Sequence, residues 1–299
     1  MLVRYSIKQK IEIIKNLYKN NKKKEEKFII SVLFHEKIEL IIEYFINIVN
    51  KFRNYNILIL ISCNNYINSL LIKYQLPEFI KIVTVRDNNI PIWGNVNLFD
   101  QHFKNYLYLK NNNINYNYFL FSASNDIFIR EIDDNIKKNI IIKPEINSIN
   151  LSQVKEFYNK FLKEKQWIWF ENMKKNNNII NILKNNNIIL KVNELEGLII
   201  EKNFIKEIMD FYQKNLYGKS LYKNYIMEEI FIASYLYSKY QYNYNTITFR
   251  EKYPKNENLK NLESNELIKE LLNNYSNIYC IKFKNRNYQN YKINLINKI

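Results

Sequence analysis

The sequence predicts an α/β protein built on a parallel sheet with helices on its faces, and three observations carry that expectation. Residues 28–34, 56–61, 80–85 and 116–121 are short apolar runs without helical spacing, the signature of buried strands. Amphipathic stretches separate them, and strand–helix–strand alternation is how a parallel sheet is written in sequence. Each run also stops in polar residues: His35-Glu36-Lys37, Ser62-Cys63-Asn64-Asn65, Arg86-Asp87, and Ser122-Ala123-Ser124-Asn125-Asp126. Ligands of open α/β sheets bind just beyond the carboxyl ends of the strands, where these groups would converge.

Taken in order, residues 1–27 read as a basic helix with Ile7, Ile11, Ile14 and Leu17 at helical spacing. The first strand (28–34) leads to a helix over about 38–52, and the second (56–61) to one ending near Leu76, before Pro77. The third strand (80–85) ends at Arg86. A helix then leads into Tyr116–Phe121, the central strand. Asp126, set among small residues that let a ligand approach, is a site candidate, or it forms an Asx turn capping the next segment. The second half is less regular. It reads as a helix over 151–165 capped by Ser152 or Asn150, and an aromatic patch at 167–170 that is core or a stacking platform. A turn at Asn193-Glu194-Leu195-Glu196-Gly197 enters a strand at 198–200. Helices follow over 204–212 and 225–237, then strands at 246–249 and 277–283. No repeat and no Pro- or Gly-rich linker divides the 299 residues, so one domain is expected, with halves at 28–135 and 145–299.

Composition bounds the function. The chain is 47% hydrophobic and 25% charged, an ordinary globular range, with 25 Tyr but only 3 Gly and 4 Pro. AT-rich codon usage explains the excess of Asn, Lys, Ile and Tyr, so the Asn runs at 111–113, 176–178 and 185–187 read as solvated turns. A net charge of +16 suits a polyanionic partner, but the lysines are scattered rather than clustered with aromatic residues as in a nucleic-acid groove. Two cysteines, Cys63 and Cys280, lack disulfide-framework or metal-ligand spacing, and His35 and His102 are the only histidines. No apolar run is long enough to span a bilayer, and no signal-peptide core is present. These features predict a soluble protein of a reducing compartment, cytoplasmic or held peripherally at the inner membrane face by its basic surface.

Five stretches, in order, resemble the core-2/I-branching N-acetylglucosaminyltransferases and the related xylosyltransferases. Ile29–Lys37 resembles the opening strand that ends in a histidine; Ile90-Pro91-Ile92-Trp93-Gly94 resembles the Trp-Gly that opens the helix before the central strand. Tyr118–Ile129 resembles the central strand and its Ser-x-x-Asp end. Met227-Glu228-Glu229-Ile230-Phe231 resembles the segment that carries the family's base, and Ile278–Lys284 the late strand that gives a basic residue to the diphosphate. Phe128 stands where the family has proline, Met227-Glu228 replaces Pro-Asp, and the family's structural cysteines and membrane anchor are missing.

The resemblance implies a GT-A-type glycosyltransferase, a Rossmann-like mixed sheet flanked by helices. It would transfer N-acetylhexosamine or xylose from a UDP-sugar to a glycan or glycoconjugate hydroxyl, with inversion and without a cofactor. A divalent metal is not expected, because the family relies on basic side chains and 122–126 offers a single carboxylate rather than an Asp-x-Asp pair. Glu229 would be the base and Glu228 its alternate. Arg250, Lys282 and Lys284 would hold the diphosphate, His35 (unless it is a hydrogen-bonded structural residue) and Arg86 would line the nucleotide pocket, and Asp126 would bind the donor's sugar or ribose or help set the acceptor. Trp93, Glu194 and Glu196 would meet the acceptor, although a polar turn also explains the two glutamates. Two rivals remain open: an inactive sugar-binding or scaffold protein of the same fold, and a basic nucleic-acid-associated protein.

Overall fold

The computed structural model describes residues 5–21, 23–86, 98–165, 168–218, 227–250 and 264–282. Helix α1 (Ile7–Asn20) is shorter than the expected 1–27 because a capping box fixes its start: Ser6 Oγ accepts from Gln9 N–H while Gln9 reaches back to Ser6 N–H. Then come β1 (Lys27–Leu33), α2 (Ile38–Lys51), β2 (Asn56–Asn64), α3 (Asn65–Ile72) and β3 (Ile80–Arg86). Next are α4 (Leu98–Asn111), β4 (Tyr118–Ala123), β5 (Asp126–Phe128) and β6 (Ile140–Ile141). Strand β7 (Ile199–Glu201) is antiparallel to β4 and parallel to β6, which closes a six-stranded mixed sheet of order β3-β2-β1-β4-β7-β6.

The four early strands are parallel, and their continuous apolar runs follow from burial on both faces. Phe28, Ile30 and Val32 face one core with Ile11, Ile14, Ile41 and Phe45 of α1 and α2. Ile29, Leu58, Leu60, Phe119 and Phe121 face a second core with Phe99 and Phe103 of α4. Behind that face pack α8 (Lys202–Asn215) and α9 (Met227–Tyr240), through Phe204, Tyr212, Ile230 and Phe231. Helices α5 (Leu151–Lys163), α6 (Ile168–Lys174) and α7 (Asn177–Asn185) contribute Val154, Tyr158, Met173 and Ile179 to the same core. Of the two candidate caps of α5, Asn150 is the one used, accepting from Gln153 N–H at 2.9 Å. Phe170, from the aromatic patch, packs edge-on against Phe161 in this layer.

The asparagine runs carry more than solvation. Asn176 caps α7, while Asn113 (φ 51°) and Asn187 (φ 55°) take left-handed conformations just past α4 and α7. Asparagine is the non-glycine residue that tolerates that region best, so in a chain with so few glycines it ends helices.

A second sheet has the order β5-β9-β8, from β5, β9 (Cys280–Lys282) and β8 (Thr248–Arg250). It is tied to the first at Gly197. The Gly197 N–H donates to Phe121 O at 2.7 Å, and its carbonyl accepts from Ile247 N–H at 3.1 Å. Gly197 has φ +81°, and a Cβ there would lie 2.3 Å from Thr248 Oγ1 and 2.8 Å from Thr248 N. Both the backbone conformation and the contact demand glycine. Gly197→Ala should therefore lower unfolding stability by roughly 2–3 kcal/mol, read as a lower urea midpoint, whereas Gly218→Ala, where nothing lies within 4 Å of the new atom, should cost less.

Candidate active site

The small sheet lays out the site. Its register sets Asp126 opposite Lys282, and Lys282 opposite Arg250. Opposed residues on neighbouring strands share a face, so an acid and two bases stand in one row across β5, β9 and β8. Arg250 lies within β8 rather than just after it, which is what places it in that row.

Three glutamates close on the row. Arg250 Nη2 donates to Glu196 Oε2, its Nη1 lies 3.3 Å from Glu229 Oε1, and its Nε lies 3.3 Å from Glu194 Oε1. Lys282 Nζ donates to the other oxygen of Glu196. Glu194 and Glu196 come from the turn before β7, held by Gly197. Glu229 comes from the first turn of α9, and its carbonyl accepts the N–H of Asn193 at 2.9 Å. Burial alone would raise the Glu196 pKa, but Lys282 and Arg250 outweigh it and hold that carboxyl well below the usual range. For Arg250, burial is likewise outweighed, by Glu196, Glu194 and Glu229, and its pKa rises. Lys282 is raised too, because Glu196 and Asp126 overcome its desolvation. Six of the sequence-derived candidates (Glu229, Arg250, Lys282, Asp126, Glu194 and Glu196) thus gather in one charged cluster of four carboxylates and two bases.

Asp126 is 1% exposed. Its Oδ2 accepts from Ala123 N–H at 2.8 Å and from Ser122 Oγ at 3.0 Å, and Ser122 in turn accepts from the Tyr44 hydroxyl at 2.9 Å. Both bonds reach back to the end of β4 rather than forward, so Asp126 does not form the Asx turn that would cap the next segment. The other oxygen, Oδ1, has no hydrogen-bond partner among the described residues. Burial raises the Asp126 pKa to about 6; Lys282 opposes the rise and Glu196 adds to it.

His35 stands on the same edge, since β1 and β4 end in register at Leu33 and Ala123. Its Nε2 lies 3.2 Å from Glu36 Oε1, which also accepts from Ser124 Oγ at 3.3 Å. Arg86, at the end of β3, is buried and donates from Nη2 to Phe34 O at 3.2 Å. Trp93, Lys284 and the Glu228 side chain lie outside the described residues.

Sequence reasoning passed over the buried polar seam beneath the site. His102 of α4 shares a 2.7 Å hydrogen bond with Ser31 Oγ, which also accepts from Asn105 Nδ2 at 2.8 Å. The imidazole meets Phe121 edge-on, and burial lowers its pKa to about 4 against the pull of Glu196. The signal was available as Gln101, His102 and Asn105 on one face of an otherwise aromatic helix. Among the described residues no group of three or more His, Cys, Asp and Glu side chains could hold a metal ion, and no helix is long and apolar enough to cross a membrane. No protein-family model matches the chain, and no curated protein matches it.

The Asp126 carboxyl has a pH signature. Its folded-state pKa of about 6 lies above the ordinary 3.8, so the stabilisation it gives as a neutral acid is full below about pH 4 and is lost as pH rises through 6. Asp126→Asn stays neutral throughout. Its stability relative to wild type should therefore improve by about 2–3 kcal/mol between pH 4 and pH 7. Parallel urea titrations across that range measure it, and a flat difference would show that Asp126 is not desolvated.

Proposed function

We propose that the chain is an inverting, metal-independent glycosyltransferase of the GT-A type that moves a sugar from a UDP donor to a hydroxyl of a glycan or glycoconjugate. One observation carries the reading: Glu229, Arg250 and Lys282, singled out from three distant stretches, meet at one site with Asp126, Glu194 and Glu196. Sugar transfer needs a base for the acceptor, positive charge for the leaving diphosphate, and a fixed approach. The cluster supplies the first two on rigid elements.

In this mechanism Glu229 takes the proton of the acceptor hydroxyl as that oxygen bonds the anomeric carbon. The bond from that carbon to the diphosphate breaks with its electrons leaving on UDP, and Arg250 and Lys282 stabilise the charge that develops. One displacement inverts the configuration and needs no covalent sugar–enzyme intermediate. Glu194 accepts hydrogen bonds from acceptor hydroxyls. Glu196 keeps both bases ionised and aimed. The Glu229–Arg250 pair couples the two halves: a diphosphate that takes up Arg250 loosens its hold on Glu229, so donor binding frees the base.

A thermal-shift screen against nucleotide sugars, with Mn²⁺ or with EDTA, tests the class. One UDP-sugar should raise the melting temperature equally in both conditions; stabilisation that EDTA abolishes would contradict the metal-independent account. Within the mechanism, Glu229→Gln should cut turnover roughly 10²- to 10⁴-fold, the usual contribution of a general base. The same variant should bind UDP about two- to fivefold more tightly, since an ion pair of this kind contributes up to about 1 kcal/mol and no longer competes for Arg250. Arg250→Ala and Lys282→Ala should each weaken UDP roughly 10- to 100-fold by calorimetry. A Glu229→Gln enzyme with wild-type turnover places the base elsewhere.

A further inference from the structure

Arg86 is unlike the other charged groups of the sheet edge. The residue is 8% exposed, yet among the described residues no carboxylate pairs with its guanidinium. Its one hydrogen bond there runs from Nη2 to the Phe34 carbonyl, and its Nε has no acceptor. A guanidinium carries five N–H donors, and buried donors left over in a folded protein call for an explanation. The side chain closes no ion pair among the described residues; it reaches from the end of β3 toward the end of β1, along the edge where His35 and Glu36 stand.

We propose that Arg86 reads the nucleobase of the donor, donating to the O4 keto oxygen of uracil, so that the site takes uridine nucleotides in preference to cytidine nucleotides. The inference rests on the glycosyltransferase reading and extends it from the diphosphate to the base. Geometry assigns the ends. Strands β3 and β4 stand three places apart in the sheet, a separation of roughly 14 Å at 4.8 Å per strand, and the diphosphate cations lie beyond β4. An extended nucleoside diphosphate covers that distance, which brings its base, not its phosphates, to Arg86. O4 is on the ring edge opposite the ribose, and β3 is the outermost of these strands, so the distal edge meets the arginine. Cytosine presents an amino donor where uracil presents the O4 acceptor, as the bases do in the grooves of duplex DNA. An arginine facing that amino group meets donor with donor and rejects it.

Calorimetric titration of the full chain with UDP and with CDP tests this, because the two ligands share charge and ribose and differ at that edge. The wild type should bind UDP at least tenfold more tightly than CDP. Arg86→Leu should lose most of its UDP affinity and little of its CDP affinity, so that the ratio falls toward one. Arg86→Gln, whose amide turns either its oxygen or its nitrogen outward, should also bring the ratio toward one, and it keeps a polar side chain if the leucine variant folds poorly. Equal losses for UDP and CDP would put a phosphate at Arg86 and overturn the assignment. An unchanged preference in both variants would overturn it as well, while leaving the glycosyltransferase reading intact. A wild type that binds neither nucleotide overturns both.

Discussion

The carboxylate of Glu196 is the interaction on which the site depends. It accepts from Arg250 with one oxygen and from Lys282 with the other, and those bases belong to the second sheet while Glu196 sits on the approach to β7 of the first. Without it the half-buried Arg250 would keep only Glu194 and Glu229, and Lys282 only Asp126, to offset their desolvation. With it, both stay charged and hold a common direction. Gly197 makes the arrangement possible one residue later, since only a residue without Cβ lets this turn close against Thr248. The charge pairing and the backbone approach are one constraint: the turn must come close for the carboxylate to reach, and the pairing holds the turn there.

A second layer supports the first. His102, Ser31 and Asn105 form a hydrogen-bonded group between α4 and β1, on the face of the sheet that otherwise buries aromatic rings. Burial keeps the imidazole neutral down to about pH 4, so the seam adds no charge below a cluster already dense with it. Phe121 links the two levels: His102 packs against its ring, and its carbonyl accepts the N–H of Gly197. The aromatic strand end chosen from sequence as the central strand is therefore also the support of the turn that carries Glu194 and Glu196.

The parallel half of the fold was legible because its strands are buried on both faces and so appear as unbroken apolar runs with polar stops. The later strands were legible only in outline. Strands β8 and β9 have three residues each, too few for a period to declare itself, and their alignment with Asp126 is a long-range fact of register that no local pattern encodes. The chemistry of individual residues was readable: an acid after the central strand, a glutamate at a helix start, an arginine and a lysine in late strands. Their mutual pairing was not, because Arg250 and Glu229 are joined by a tertiary approach between α9 and β8. The asparagine runs erred the other way. Codon bias accounts for their abundance, yet Asn113, Asn176 and Asn187 each occupy a helix end that needs that side chain or that backbone conformation.

The electrostatics of the whole chain and of its site point in opposite directions, and the contrast has a physical use. The chain carries +16, a field that draws polyanions toward the surface over distances of about a Debye length, roughly 8–10 Å at physiological salt. At the cluster itself four carboxylates face two bases, so an anion arriving there gains nothing from net charge. It must offer oxygens that replace Glu229 or Glu194 on Arg250 and share Lys282 with Glu196, which a diphosphate with two phosphoryl groups can do and a single diffuse charge cannot. Under the proposed function, attraction is thus delegated to the surface and selection to the site. A protein whose function were nonspecific binding of nucleic acid would have no reason to neutralise a half-buried arginine with three glutamates.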